Sequence, residues 1–434
     1  MSQSLSTPIA TVPQRQDLLN QLATANRWGR VWLGVQAAMI AGLASWIDWP
    51  QVVLEPWLSV FAMAVTVGPF AMEIARFWAQ QKKEIGDLKD QTRFGEFDKH
   101  RLRDLFQETL HRLKLPETRL PVFIVANRFS NAASMHVGLG SLFKSINGIY
   151  LHRQALHKLT ADEVQDIMGH ELGHFYRYYL VSDRFRFIPL AVGCLACLVA
   201  VQAFGLNSMF SMLVLMVAGT LIWKFSSLQT ARHIWCIEFL CDDLGAQVHN
   251  VAVSVTGLMK LGAEAEVMTA IQQQAARSAN RGNLNAQEVV EAIAASVPYG
   301  HATPAEIEAA VQKSLKAKAT QGPSLGGFLH YMWNSDVDAA ANEEFEKQMN
   351  QLANLQSVPR IPWEKLLADP TEIRFNEHSL QALVELIEQF PQAELFHIPE
   401  ALGSVDPLHP PLKQRIVYLW HNRREIERAA SQRV

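Results

Sequence analysis

His170-Glu171-Leu172-Gly173-His174 is the stretch on which the reading of this chain turns. Residues four apart on an α-helix share a face, so His170 and His174 can both reach one Zn²⁺ while Glu171 reaches a water bound to it. Two histidines and a glutamate also meet these offsets by chance, so the flanking sequence has to carry the argument.

Upstream, Thr160-Ala161-Asp162-Glu163 is a capping box, the N-terminal signal of a helix. Val164, Ile167, Met168, Leu172 and Phe175 then recur at helical spacing, which sets His170 and His174 mid-helix on a partly buried face. A zinc site of this type takes a third protein ligand and leaves a further position to water. Glu238-Phe239-Leu240-Cys241-Asp242-Asp243-Leu244-Gly245-Ala246 puts two carboxylates one turn apart. Glu238 suits the ligand, and Asp242 suits the acceptor that fixes the tautomer of a ligating histidine. Helical spacing alone does not separate the two, and His233, His249 and Asp243 compete for the same place.

With these motifs quoted, the chain resembles the membrane-embedded zinc metallopeptidases of the gluzincin type. These include the bacterial HtpX-type quality-control proteases and the prenyl-protein (CAAX) endoproteases. The helix running from Leu159 through His174 resembles the active-site helix of that family. Glu238 followed by Asp242 and Ala246 resembles its second motif, in which the Glu is the third zinc ligand and the Asp supports a ligating histidine. His409-Pro410-Pro411-Leu412-Lys413-Gln414-Arg415-Ile416 resembles a third motif, whose His and Arg line the cleft. Asn131-Ala132-Ala133-Ser134, between the β-like runs Val122–Val125 and Gly148–Leu151, resembles the start of the edge strand along which a substrate pairs. The resemblance covers residues 120 to 250 and 405 to 420. The approach to Glu238, His233-Ile234-Trp235-Cys236-Ile237, is more apolar than the family pattern.

The resemblance implies a mechanism. Zn²⁺ on His170, His174 and Glu238 acidifies a water, Glu171 takes its proton as general base, and the hydroxide attacks a peptide carbonyl. His409 is the candidate oxyanion donor, positioned by Arg415, which otherwise pairs with Asp242 or substrate. The contrasting possibility is a membrane scaffold or partner-binding protein that keeps the fold without turnover.

The distribution of apolar residues points to a membrane. The composition, 49% hydrophobic and 19% charged with a mean hydropathy of +0.01, suits a large soluble protein as well. From Phe187 to Trp223, however, no Asp, Glu, Lys or Arg occurs in 37 residues, which is about the length of two spans of roughly 20 residues. Val31 to Ile47 and Pro56 to Met72 are shorter apolar runs flanked by Trp32, Trp46, Trp49, Trp57 and Trp78. Lys and Arg lie outside both hairpins and none in their turns, which orients the termini and the zinc motifs toward the cytoplasm.

The expected architecture is therefore mainly α with a small β-sheet: multi-pass membrane helices plus a zincin-like catalytic domain. A polar tail (1–26) precedes a first hairpin (27–80) and a first catalytic part (81–186). A second hairpin (187–226) precedes a second catalytic part (227–434), which contains an accessory insertion at about 262–350. A bacterial inner membrane is the expected location, with a protein or peptide substrate, contact with the lipid bilayer and a quality-control role. The net charge of -3 and the lack of a basic patch argue against nucleic-acid binding. The four cysteines imply no disulfide framework. Residues 98 to 114 read as an amphipathic helix, and residues 1 to 20 as poorly ordered.

Overall fold

The computed structural model describes residues 12–57, 60, 64, 68, 75, 82–116, 120–125, 132–135, 147–185, 187–204, 232–263, 359–369, 372–396 and 409–432. The chain divides into two compact units. One holds residues 11–257, 408–410 and 415–434, and contains every motif singled out above except Pro411–Gln414 of the third.

In that unit, α1 (Arg15–Trp46) is followed by a turn at Asp48, whose side chain accepts from Gln51 N and caps the short α2 (Trp49–Leu54). A mixed sheet follows, in the order β1 (Lys82–Glu84), β4 (Val122–Val125), β6 (Gly148–His152), β5 (Ala132–Met135). β4 and β6 are parallel and buried along their whole length, as their apolar, β-rich sequences require; β1 and β5 flank them antiparallel. Gly148 is needed where β6 begins, because a Cβ there would stand 2.5 Å from Pro121 O.

β2 (Arg93–Phe94) and β3 (Phe97–Asp98) form a hairpin that turns at Gly95, with φ +61°. Asp98 then caps α3 (Lys99–Arg112) by accepting from Arg101 N at 2.8 Å. Its buried Leu102, Leu105, Phe106 and Leu110, with buried Leu113 at its C-cap, form the apolar face of the amphipathic helix expected over 98 to 114, and the helix packs against α5.

The short α4 (Arg153–Lys158) leads into α5 (Ala161–Leu172), which opens with the expected capping box: Thr160 N donates to Glu163 Oε2 at 2.9 Å. α6 (Val181–Arg184) and α7 (Phe187–Phe204) follow. The helix α8 occupies 232–246 and α9 occupies 251–263. In the second unit, residues 359–396 hold a turn at Trp363–Leu366 and α10 (Glu377–Gln389), with the Trp363 ring against Phe375 and Phe396. α11 (Leu412–Ser431) ends the described chain.

The membrane expectation is corrected here. Among the described residues, no helix is long and apolar enough to cross a membrane. The described residues therefore do not support the multi-pass architecture or the integral inner-membrane placement with a cytoplasmic catalytic domain. Val31–Ile47 is largely the C-terminal half of a 32-residue helix that also carries Arg15, Asp17, Arg27 and Arg30. From the charge-free run, Phe187–Phe204 is an 18-residue helix lying along α1, with Cys197, Leu198 and Val201 packed against Ile47. Gln202 exchanges hydrogen bonds with the backbone of Asp48 at 3.0 and 2.9 Å. Residues 205–223, most of Pro56–Met72, and 264–350 of the expected insertion lie outside the described residues. Arg15–Asn20, expected to be poorly ordered, forms the first turns of α1, with Leu18 buried.

Candidate metal centre

His170 sits in the last turn of α5, and the backbone changes pitch just after it. Gly173–Arg177 is a π-helical turn closed by Tyr178 N donating to Gly173 O at 2.8 Å, so His174 is not mid-helix as the sequence suggested. The two imidazoles still face each other, with their Nε2 atoms 3.2 Å apart.

α8 crosses α5 closely because glycine lies at successive contacts. A Cβ on Gly169 would stand 2.7 Å from Val248 Cγ2, on Gly173 2.9 Å from Cys241 Sγ, and on Gly245 2.8 Å from Asp166 O. The crossing brings Glu238 Oε1 to 3.3 Å from His174 Nε2 and Oε2 to 3.4 Å from His170 Nε2. One ligand atom from each of His170, His174 and Glu238 lies within 4.8 Å of the others.

Asp242, one turn on, meets the other side of His170, with Oδ1 2.9 Å from Nδ1. That contact makes Nδ1 the donor and leaves Nε2 on the side of Glu238. Arg415 closes the set from α11, donating from Nε to Asp242 Oδ2 at 2.7 Å and from Nη2 to Oδ1. The two carboxylates differ in which ring nitrogen of His170 each one faces. His409 Nε2 lies 3.4 Å from Glu238 Oε2 with its side chain 43% exposed, so it borders the centre from the solvent side.

The electrostatics favour a cation. Burial raises the Glu238 carboxyl, yet His174 and His170 outweigh it and hold the group well below the usual carboxylate range. Burial likewise raises Asp242, and Arg415 followed by His170 brings it below its ordinary value. Burial opposes a charge on His170, but its hydrogen bond to Asp242 and the carboxylate of Glu238 beside it push it up to about 10. A donor set that binds a proton on His170 this strongly is one that a divalent ion can occupy in its place. Glu238 Oε2 and Glu171 Oε2 are buried without a hydrogen-bond partner among the described residues, and an ion on Glu238 offsets that desolvation. Two imidazole nitrogens and a carboxylate are zinc chemistry, so the residues fit the ion.

Two of the competing candidates, His249 and Asp243, are engaged elsewhere. His249 Nε2 lies 2.8 Å from Gln165 Oε1 and its Nδ1 3.1 Å from Arg112. Asp243 pairs with Arg15 at 2.6 Å and with Gln247. His233 is not in the cluster. Ala132 opens β5, which passes beside α5 and the π turn, and Asn131 lies outside the described residues.

The Arg15–Asp243 pair was missed by sequence reasoning. The two residues lie 228 apart and Arg15 falls in a polar segment with no motif. A buried second carboxylate beside Asp242, needing its own cation, was the available signal.

Residues 97–261 match the family model for Peptidase family M48. This segment, well under half of the chain, carries α5, the π turn and Glu238. The match supports an M48 metallopeptidase family, which is typically metal-dependent. It does not distinguish HtpX-type from CAAX-type specificity, and it excludes His409 and Arg415. No curated protein and no solved structure matches the chain.

Proposed function

We propose that the chain is a zinc-dependent endopeptidase, with His170, His174 and Glu238 as ligands and Glu171 as general base. The observation that carries the reading is the convergence of those three donors from two helices, within a segment that matches a peptidase family. When bound, the ion supplies Lewis acidity, polarising the scissile carbonyl and acidifying the attacking water.

The protein's residues do the rest. Asp242 holds the His170 ring through Nδ1, and Arg415 holds Asp242. Glu171 takes the proton of the attacking water and passes it to the leaving amine. His409, half exposed beside Glu238, donates to the carbonyl oxygen as negative charge develops on it.

Among the described residues β5 is the terminal strand of its sheet, so an extended peptide can pair with its outer edge from Asn131 and Ala132 onward. Backbone pairing selects little by side chain, which suits a protease that acts on unfolded proteins of varied sequence in quality control.

Hydrolysis of casein or a fluorogenic peptide by the purified chain tests the reading. A chelator is expected to abolish cleavage, zinc to restore it, and Glu171→Gln to remove it. A zinc-loaded wild type that cleaves neither substrate favours the partner-binding protein without turnover.

A further inference from the structure

Asp166 lies one helical turn before His170 on α5 and is buried, yet it belongs to no motif. Its carboxyl group meets Ser254 Oγ of α9, and Ser254 Oγ lies 3.5 Å from Asn250 O. Gly245 leaves room for it, since a Cβ there would stand 3.1 Å from Asp166 Oδ1. Gly245 is three residues after Asp242, so Asp166 faces the same stretch of α8 that supports His170.

The charged groups around Asp166 are Asp242 from α8, Arg415 from α11 and His170 from its own helix. Arg415 already spans both oxygens of Asp242, and among the described residues no cation forms an ion pair with Asp166. Burial pushes the Asp166 carboxyl up to about 7; the Ser254 hydrogen bond opposes the shift and the Asp242 charge adds to it.

We propose that Asp166 is a positioning residue that carries a proton in the working site. As a neutral acid it donates to Ser254 Oγ, whose own hydrogen turns to Asn250 O, and Asp242 remains the one negative charge shared by His170 and Arg415. Loss of the proton sets a second carboxylate against Asp242 and loosens the support of His170. The role of that support in metal binding rests on the metallopeptidase reading; the protonation itself does not.

The folded-state value lies above the unfolded one, so the stability linked to this proton is complete below about pH 3.8, declines as pH rises, and is lost by about pH 7. Thermal melts of the full chain as purified, wild type against Asp166→Asn, read this directly. Asparagine is neutral throughout and retains a partner for Ser254. Its advantage in Tm over wild type is expected to grow by ~4 °C or more from about pH 5 to about pH 7 and then level off. A difference that does not change with pH overturns the proposal.

Infrared spectroscopy of the wild type provides a check that does not depend on the folding of Asp166→Asn. A carbonyl band of a protonated carboxylic acid is expected at about pH 5.5, bleaching toward about pH 9, and shifting in Ser254→Ala as its hydrogen bond is lost. Absence of the band, or a band that Ser254→Ala leaves unmoved, overturns the proposal. Neither readout needs turnover, so the inference and the peptidase reading can fail separately.

Discussion

Glu171 and Glu238 are both buried carboxylates, and their surroundings differ. Glu238 is drawn well below the ordinary range by His174 and His170. Glu171 is outside the ligand cluster and has one oxygen without a partner among the described residues. Glu171→Gln should therefore lower kcat by about 10²–10⁴-fold while the protein binds zinc as before, checked by steady-state kinetics beside metal analysis. Asp242→Asn should weaken zinc binding by about 10–100-fold, measured by chelator competition, because the His170 ring loses its charged acceptor. The His170, Glu171 and His174 constellation was legible from its spacing together with the capping box and apolar periodicity that flank it. The separate roles of Glu238 and Asp242 were not, because spacing shows that two carboxylates share a face but not which nitrogen of His170 each one meets. Arg15 was invisible, since an ion pair across 228 residues leaves no periodic trace.

The α5–α8 crossing depends on three glycines that no motif required. Gly173→Ala would force a methyl group to 2.9 Å from Cys241 Sγ and 3.2 Å from its Cα, in the turn that carries His174. It should cost about 1–3 kcal/mol by overpacking, read in thermal unfolding, and weaken zinc binding as the helices part. The π turn explains why helical periodicity past Leu172 misled: the face shifts there by more than a plain helix allows. β4 and β6 were legible because fully buried strands read as short apolar runs. β1 was not, because Lys82-Lys83-Glu84 is an edge strand whose Lys82 Nζ lies over the Phe123 and Tyr150 rings at 4.9 and 5.1 Å. β6 also makes a pH prediction. Burial pushes His152 down to about 4, so the stability associated with its neutral form is present above about 6.5 and is lost as pH falls toward about 4. His152→Gln should flatten that acid limb, by up to on the order of 3 kcal/mol in denaturant titrations.

The motif-bearing unit is tied together by its N-terminal segment. Arg15 N donates to Asn422 Oδ1 at 2.9 Å, its Nε reaches Asp243 beside the metal centre, and Cys236 Sγ donates to Leu18 O at 3.3 Å. Arg15→Ala leaves Asp243 buried without its cation and should destabilise the fold by about 3–5 kcal/mol in equilibrium unfolding. Composition along the chain misled about the larger architecture. A charge-free run states how apolar a segment is but not what covers it, and its first 18 residues, α7, set one side against α1 and Ile47. Glu238, although far from His174 in sequence, is expected to complete a zinc site with it and His170. Zinc content of the purified chain tests this most directly, measured for wild type, Glu171→Gln and Glu238→Ala. One ion per chain is expected in the first two and essentially none in the third; an ion retained at full occupancy by Glu238→Ala would contradict Glu238 as a ligand.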